Sequence, residues 1–276
     1  MGRGAFFMRN YLKNLVTVGF LALFLPYTIT LLVNGRQGTH RESEWTELEY
    51  QVLDRMLQED LSWMDDDMLS LMAVICRTEC AAQAGAEKPN HAVYVPPDRG
   101  YEKIEQAVQN TRGMAVLING EYRELPYHAV SAGCTRDGSL LGQEYSYVIP
   151  AECPEDLKSE SYLQVCTLTK EDLNGALGFD VSVQELQMEY DAQGYVTWVS
   201  KGDTRWTGES FRTLLHLPSS CIRMDQEGDD IRITVKGSGH GFGISLYTAS
   251  RMLQEGSSIQ EILQKFYENA ECITIP

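Results

Sequence analysis

The sequence predicts an α+β chain, an N-terminal transmembrane helix followed by a domain of mixed helices and antiparallel strands. Three observations predict it. Residues 15–33 (LVTVGFLALFLPYTITLLV) carry no Asp, Glu, Lys, Arg or His, and at about 1.5 Å per residue such a run matches the ~30 Å apolar layer of a bilayer. Beyond residue 44 the apolar residues first recur at helical spacing and then, from about residue 91, alternate in short runs between turn residues. Two capped helical segments close the chain.

Taken in order, Arg3, Arg9 and Lys13 precede the apolar run and no acid does, which predicts a cytoplasmic N-terminus and an outer C-terminal domain. The expected organisation is a tail at 1–14, an anchor at 15–34, a tether at 35–42 and a domain at 43–276. Trp45, Leu48, Val52 and Met56 fall on one helical stripe. A second helix is expected after Ser62, which with Asp65 resembles a capping box. Its buried face is Met64, Met68, Leu71, Met72 and Ile75, and Gly85 offers a stop. Glu59 lies between the two helices. A third helix is expected near 101–110. Asn119-Gly120 predicts a hairpin between 114–118 and 121–125. Two more hairpins are expected, 183–190 with 195–200 and 222–225 with 231–235. Gly256 and Ser258-x-x-Glu261 then separate and cap the last helices.

Composition narrows the function. Without the three N-terminal bases, 20 Lys and Arg stand against 39 Asp and Glu, a charge of −19. Such a surface repels nucleic acid and anionic lipid headgroups. Seven cysteines (76, 80, 134, 153, 166, 221, 272) are scattered, with no CxxC pair, which is neither a disulfide framework nor a zinc ribbon.

The segment Gly237-Ser-Gly-His-Gly-Phe-Gly243, followed by Ile244-Ser245-Leu246-Tyr247, is the most informative. Gly237, Gly239, Gly241 and Gly243 alternate at the end of a strand and permit positive φ and close approach of a ligand to the backbone. The spacing fits neither the dinucleotide fingerprint nor the nucleophile elbow. The segment resembles the GxGxGHGxGxSQYGA signature of the SpoIID/LytB family. A second signature agrees: Glu59 stands eighteen residues before Arg77-Thr78 within Ala73-Val-Ile-Cys-Arg-Thr78, as the Glu of that family's A-E-M-P element stands before its AVAART helix. Ala107-Val108, Thr111-Arg112-Gly113, Tyr127, Ser131-Ala-Gly133, Thr135 and Phe211-Arg212 follow in the family's order. The resemblance spans roughly residues 43 to 275.

The resemblance implies a peptidoglycan lytic transglycosylase acting on glycan strands, with Glu59 as acid/base. One carboxyl group suffices when the muramic acid C6 hydroxyl attacks in place of water, leaving a 1,6-anhydro end. The weaker expectations are a substrate grip by Arg77, a glycan donor or proton carrier at His240, sugar contacts from Ser245 and Tyr247, and a groove-side turn at Ser131 and Thr135. Partial burial of Glu59 is also expected. The implied partners are glycan strands, a wall amidase and, through the anchor, the membrane. Nucleic acid is not expected and no cofactor is required.

Leu246 replaces the Gln of SQY, Met72 the Gln of the second helix and Leu61 the proline of A-E-M-P. These departures keep a second reading open, a non-catalytic wall-binding or scaffold protein that recruits another hydrolase. A Ser/His hydrolase using Ser245 and His240 is a third. Some relatives carry zinc in the region of His128-x5-Cys134; two ligands are not a site, Cys153 is the only obvious third candidate, and a Cys134–Cys153 disulfide and free thiols are equal alternatives, so the metal stays open.

Overall fold

The computed structural model describes residues 45–83, 99–228 and 230–275. Its elements run α1 (Glu47–Met56), α2 (Asp66–Ala82), α3 (Arg99–Asn110), β1 (Met114–Ile118), β2 (Tyr127–His128), β3 (Leu163–Thr169), α4 (Lys170–Leu177), β4 (Gln187–Tyr190), β5 (Val196–Lys201), β6 (Thr204–Thr207), α5 (Gly208–Leu214), β7 (Cys221–Glu227), β8 (Asp230–Lys236), β9 (Ile244–Ser245), α6 (Leu246–Gln254), α7 (Ile259–Phe266) and β10 (Ala270–Thr274). The order is that of an α+β protein. The membrane part of the expected fold class is corrected. No helix among the described residues is long and apolar enough to cross a membrane, and the expected tail, anchor and tether at 1–42 lie outside those residues. The single-pass localisation loses its support with the helix.

The first two helices explain where Glu59 sits. Helix α1 is amphipathic and buries Val52, Leu53 and Met56, together with a carboxylate, Glu49. Helix α2 is buried from Met68 to Cys80 apart from Ser70, so its polar residues Arg77, Thr78 and Glu79 need partners inside the protein. Its N-cap is Asp65, which accepts from the Met68 N–H at 2.9 Å. Ser62 instead bonds Asp60 Oδ1 at 2.7 Å, so the expected Ser62 capping box does not form. A carboxylate cap one turn later won, because its charge meets the positive end of the helix.

One buried ion pair ties these helices to their surroundings. The Arg77 guanidinium meets Glu49 through Nε (3.0 and 3.1 Å) and Nη2 (2.7 Å). Its remaining donors reach the carbonyls of Ala73, Val108 and Met114 and the Thr111 hydroxyl. Glu49 Oε1 also accepts from the Gly113 N–H at 3.0 Å. Four segments therefore meet on one guanidinium: α1, α2, the end of α3 and the start of β1. The neighbouring Thr78 Oγ1 accepts from the Val116 N–H at 2.9 Å, fixing β1 against α2.

Strand pairing follows the sequence in two places and departs from it in a third. Strands β4 and β5 pair around Gly194, with β6 completing an antiparallel sheet. Strands β7 and β8 pair across Gly228, with β3 on the far side of β8. Ile231, Ile233 and Val235 face a core shared with Leu173, Val199 and Phe211. The expected 114–125 hairpin is only a turn. Asn119 and Gly120 take positive φ, and Ile118 and Glu121 exchange both backbone bonds, but β1 then pairs with the last strand, β10. Residues 121–125 leave to begin the segment that enters the site.

Because every Arg77 donor has a buried protein partner, Arg77→Lys and Glu49→Gln should each destabilise strongly. Leaving one partner of a buried pair unmatched costs about 3–5 kcal/mol. Urea midpoints of the two variants measure this; a midpoint unchanged for either would contradict the assignment.

Candidate functional site

The glycine strand and the 126–131 segment are threaded together, backbone against backbone. Strands β2 and β9 form a two-residue parallel pair, Tyr127 beside Ile244 and His128 beside Ser245. Gly237, Gly239, Gly241 and Gly243 have φ of 76°, 103°, 82° and 67°. A Cβ on Gly243 would stand 1.9 Å from the Pro126 oxygen, and one on Gly239 2.6 Å from His128 Cβ. A Cβ on Gly237 would meet the Val130 carbonyl at 2.7 Å, and one on Gly241 the Tyr195 ring at 2.6 Å. The four glycines thus admit the protein's own chain. The expected close approach of a ligand at these positions is corrected: neighbouring backbone and the Tyr195 ring already occupy that space.

The polar residues of the signature serve the same junction. His240 Nδ1 accepts from the Phe242 N–H at 3.0 Å, so that nitrogen carries no proton. The ring also bonds the backbone of Tyr127, while burial holds its pKa below the usual histidine value. His240 therefore straps the glycine strand to β2 as a neutral ring, and the expected glycan donor or proton carrier is not free. Ser245 is fully buried. It donates to Asp156, whose two oxygens lie at 2.9 and 2.7 Å, and caps α6. Asp156 also accepts from Thr248 Oγ1 and the Ser131 N–H, both at 2.7 Å. Ser131 Oγ receives the Gly133 N–H, and Thr135 Oγ1 receives that of Ala151. Both residues are fully buried, so neither lines an open groove. Arg77, also fully buried, has no grip to offer a substrate. Tyr247 is half-buried in the first turn of α6.

Arg136 completes the junction and has no counterpart in the sequence reasoning. Its Nε meets Asp191 at 2.7 Å and its backbone N–H the Gly241 carbonyl at 2.8 Å. The guanidinium lies over Phe242, 4.4 Å from the ring centroid. The bond from Ser131 to Asp156 and the one from Arg136 to Asp191 are invisible to periodicity, because their partners are 25 and 55 residues apart.

His128 and Cys134 do not make a metal site. His128 Nδ1 donates to the Phe242 carbonyl at 3.1 Å, and its Nε2 is buried without a partner. Cys134 Sγ turns to the Thr135 carbonyl and Cys153 Sγ to that of Ala151. Among the described residues no three His, Cys, Asp or Glu side chains converge as ligands. Both cysteines are free thiols rather than a disulfide. Burial pushes the Cys153 thiol up to about 11.

What remains open to solvent is the turn that carries Glu59. The Leu57, Gln58 and Glu59 N–H groups bond back to Leu53, Arg55 and Met56, so the helical path continues one turn beyond α1. Leu61 and Met64 anchor the turn in the core, and Asp60 closes it on Ser62. Glu59 itself is exposed, not partly buried as expected. Trp63, in the same turn, is 57 % exposed. Glu59 lies close enough to Tyr127, Cys76 and Glu79 to act on all three. The Tyr127 phenol is pushed up by burial and then by the Glu59 charge. Glu79 is pushed up by burial, with Glu124 and Glu59 adding to it. The two sequence signatures therefore converge around Tyr127: the Glu59 charge acts on its phenol, and its backbone bonds His240.

Burial holds the His128 imidazole down to about 3, against about 6.5 in an unfolded chain. Between those values the unfolded chain binds a proton that the folded one refuses. Stability should then fall as pH drops from about 6.5 towards 3, by up to about 1.4 kcal/mol per pH unit for this residue. His128→Gln should remove that share of the slope in urea midpoints taken at pH 7, 5.5 and 4.5. A variant profile parallel to that of the parent would contradict it.

No family profile matches the chain. Two curated relatives do, the stage II sporulation protein D of Bacillus subtilis (strain 168) and that of Bacillus amyloliquefaciens. Each is 28 % identical over 175 residues, covering 62 % of this chain and 51 % of the relative. The chain therefore spans about half the length of the curated relatives it matches. With the two signatures converging around Tyr127, these similarities support a SpoIID-like family for this chain.

Proposed function

We propose that the chain is a sporulation-related cell-wall protein that cuts peptidoglycan glycan strands as a lytic transglycosylase, with Glu59 as its acid/base. The observation that carries the reading is the exposed Glu59 carboxylate, standing on an anchored turn and acting through its charge on Tyr127. In the proposed step Glu59 gives its proton to the glycosidic oxygen as the bond from C1 to that oxygen breaks. The muramic acid C6 hydroxyl then attacks C1, and its proton returns to Glu59. The carboxyl group ends as it began, and the glycan gains a 1,6-anhydro end without water. Tyr127, kept protonated by its surroundings, supplies a hydrogen-bond donor beside the reacting oxygen. Trp63 offers an exposed ring on which a sugar can stack. A wall amidase that removes stem peptides would prepare the strand.

The departures that favoured a non-catalytic scaffold lose their force. Met72, Leu246 and Leu61 are all buried, at 0, 5 and 6 % exposure, so an amide at either of the first two positions would face the core and not a glycan. Ser245 as a hydrolase nucleophile fails on its burial and its bond to Asp156.

Incubated with glycan stripped of stem peptides, the protein should release 1,6-anhydromuramyl products, identified by mass spectrometry. Glu59→Gln should lower that release by about 10²–10⁴-fold. Reducing-end products alone would mean hydrolysis. Sedimentation with glycan but no release, identical in the variant, would mean a binding protein.

A further inference from the structure

The surroundings of Glu59 are crowded with acids. Glu79 and Glu124 act on one another, Glu59 acts on Glu79, and Asp60 lies next in the chain. A wall glycan whose stem peptides have been removed carries a free carboxylate on each muramic acid. Such a polymer would be repelled from this turn unless a cation received it. Arg77 cannot, since Glu49 and the core consume its donors. The cation that does act on Tyr127, Cys76 and Glu79 from an accessible position is Arg55.

Arg55 is built for this in three respects. It stands four residues before Glu59 on the helical path that continues past α1, which places the two side chains about one turn apart. Its Nη2 is fixed by Glu79 Oε2 at 2.6 Å, and Glu79 is only 10 % exposed. One edge of the guanidinium is thus held in place while the side chain as a whole stays 44 % exposed. A planar guanidinium held along one edge can offer another to a second carboxylate with little further ordering.

We propose that Arg55, positioned by Glu79, is a substrate-binding residue that receives a carboxylate of the glycan beside Glu59. This rests on the glycan reading above, but its test does not depend on cleavage. The full chain carrying Glu59→Gln is titrated calorimetrically with a tetrasaccharide of alternating N-acetylglucosamine and N-acetylmuramic acid. The same titration uses the methyl ester of that sugar. The free acid should bind about tenfold or more tightly than the ester. Adding Arg55→Gln should abolish the difference, and Arg55→Lys should restore part of it. Equal affinity for acid and ester in the parent, which needs no change at Arg55, overturns the proposal. So does an acid preference that survives Arg55→Gln. A wild-type chain that prefers the acid yet releases no anhydro product keeps this assignment and loses the lytic one.

Discussion

The buried pair of Arg77 and Glu49 is the constraint on which the site depends. It sits where α1, α2, the end of α3 and the start of β1 converge, and the turn carrying Glu59 is the short connection between α1 and α2. Removing two charges from water is expensive, and the pair is tolerable because nearly every donor and acceptor on it is matched. Its yield is geometry. With the helices fixed, a connection of nine residues between Met56 and Asp66 has little freedom, and Leu61 and Met64 remove more. The backbone that carries the exposed Glu59 is thereby fixed on both sides.

A second lock holds the backbone of Tyr127. The glycine strand admits the 126–131 segment at a separation that no side chain would allow, and Asp156, His240 and Arg136 tie the crossing from three directions. Tyr127 belongs to this junction, and the Glu59 charge acts on its phenol. The residues that mark the SpoIID-like pattern therefore divide by function. Arg77, Ser131, Thr135, Ser245, His240 and the glycines build the two locks, whereas Glu59 is exposed to solvent, as is Arg55 one turn before it.

Much of this fold is legible in the sequence wherever local chemistry decides it. The hairpins at Gly194 and Gly228, the stop at Gly256 and the Ser258–Glu261 capping box each depend on residues a few positions apart. Local chemistry also gave a correct turn at Asn119-Gly120 and a wrong strand partner, because β1 gains more by pairing with β10 against the core than with a polar neighbour. The members of the candidate site stand out in the sequence, but the contacts they make do not. Spacing brought Glu59 and Arg77 together as substrate-facing residues, but one guanidinium looks the same in sequence whether it meets a ligand or a buried Glu49. Alternating glycines likewise announce close approach without saying of what. Arg55 left one signal, its position four residues before Glu59 on a helical path, and Glu79 none.

The central claim is that a glycan meets the turn of Glu59 and not the signature residues behind it. A crystal structure of the Glu59→Gln variant soaked with a peptide-free wall tetrasaccharide tests this most directly. Sugar density is expected against residue 59 and Tyr127, with Arg77, Ser131, Thr135 and Ser245 in unbroken contact with their protein partners. Sugar bonded to any of those four side chains, or seated on the glycine strand, would contradict it.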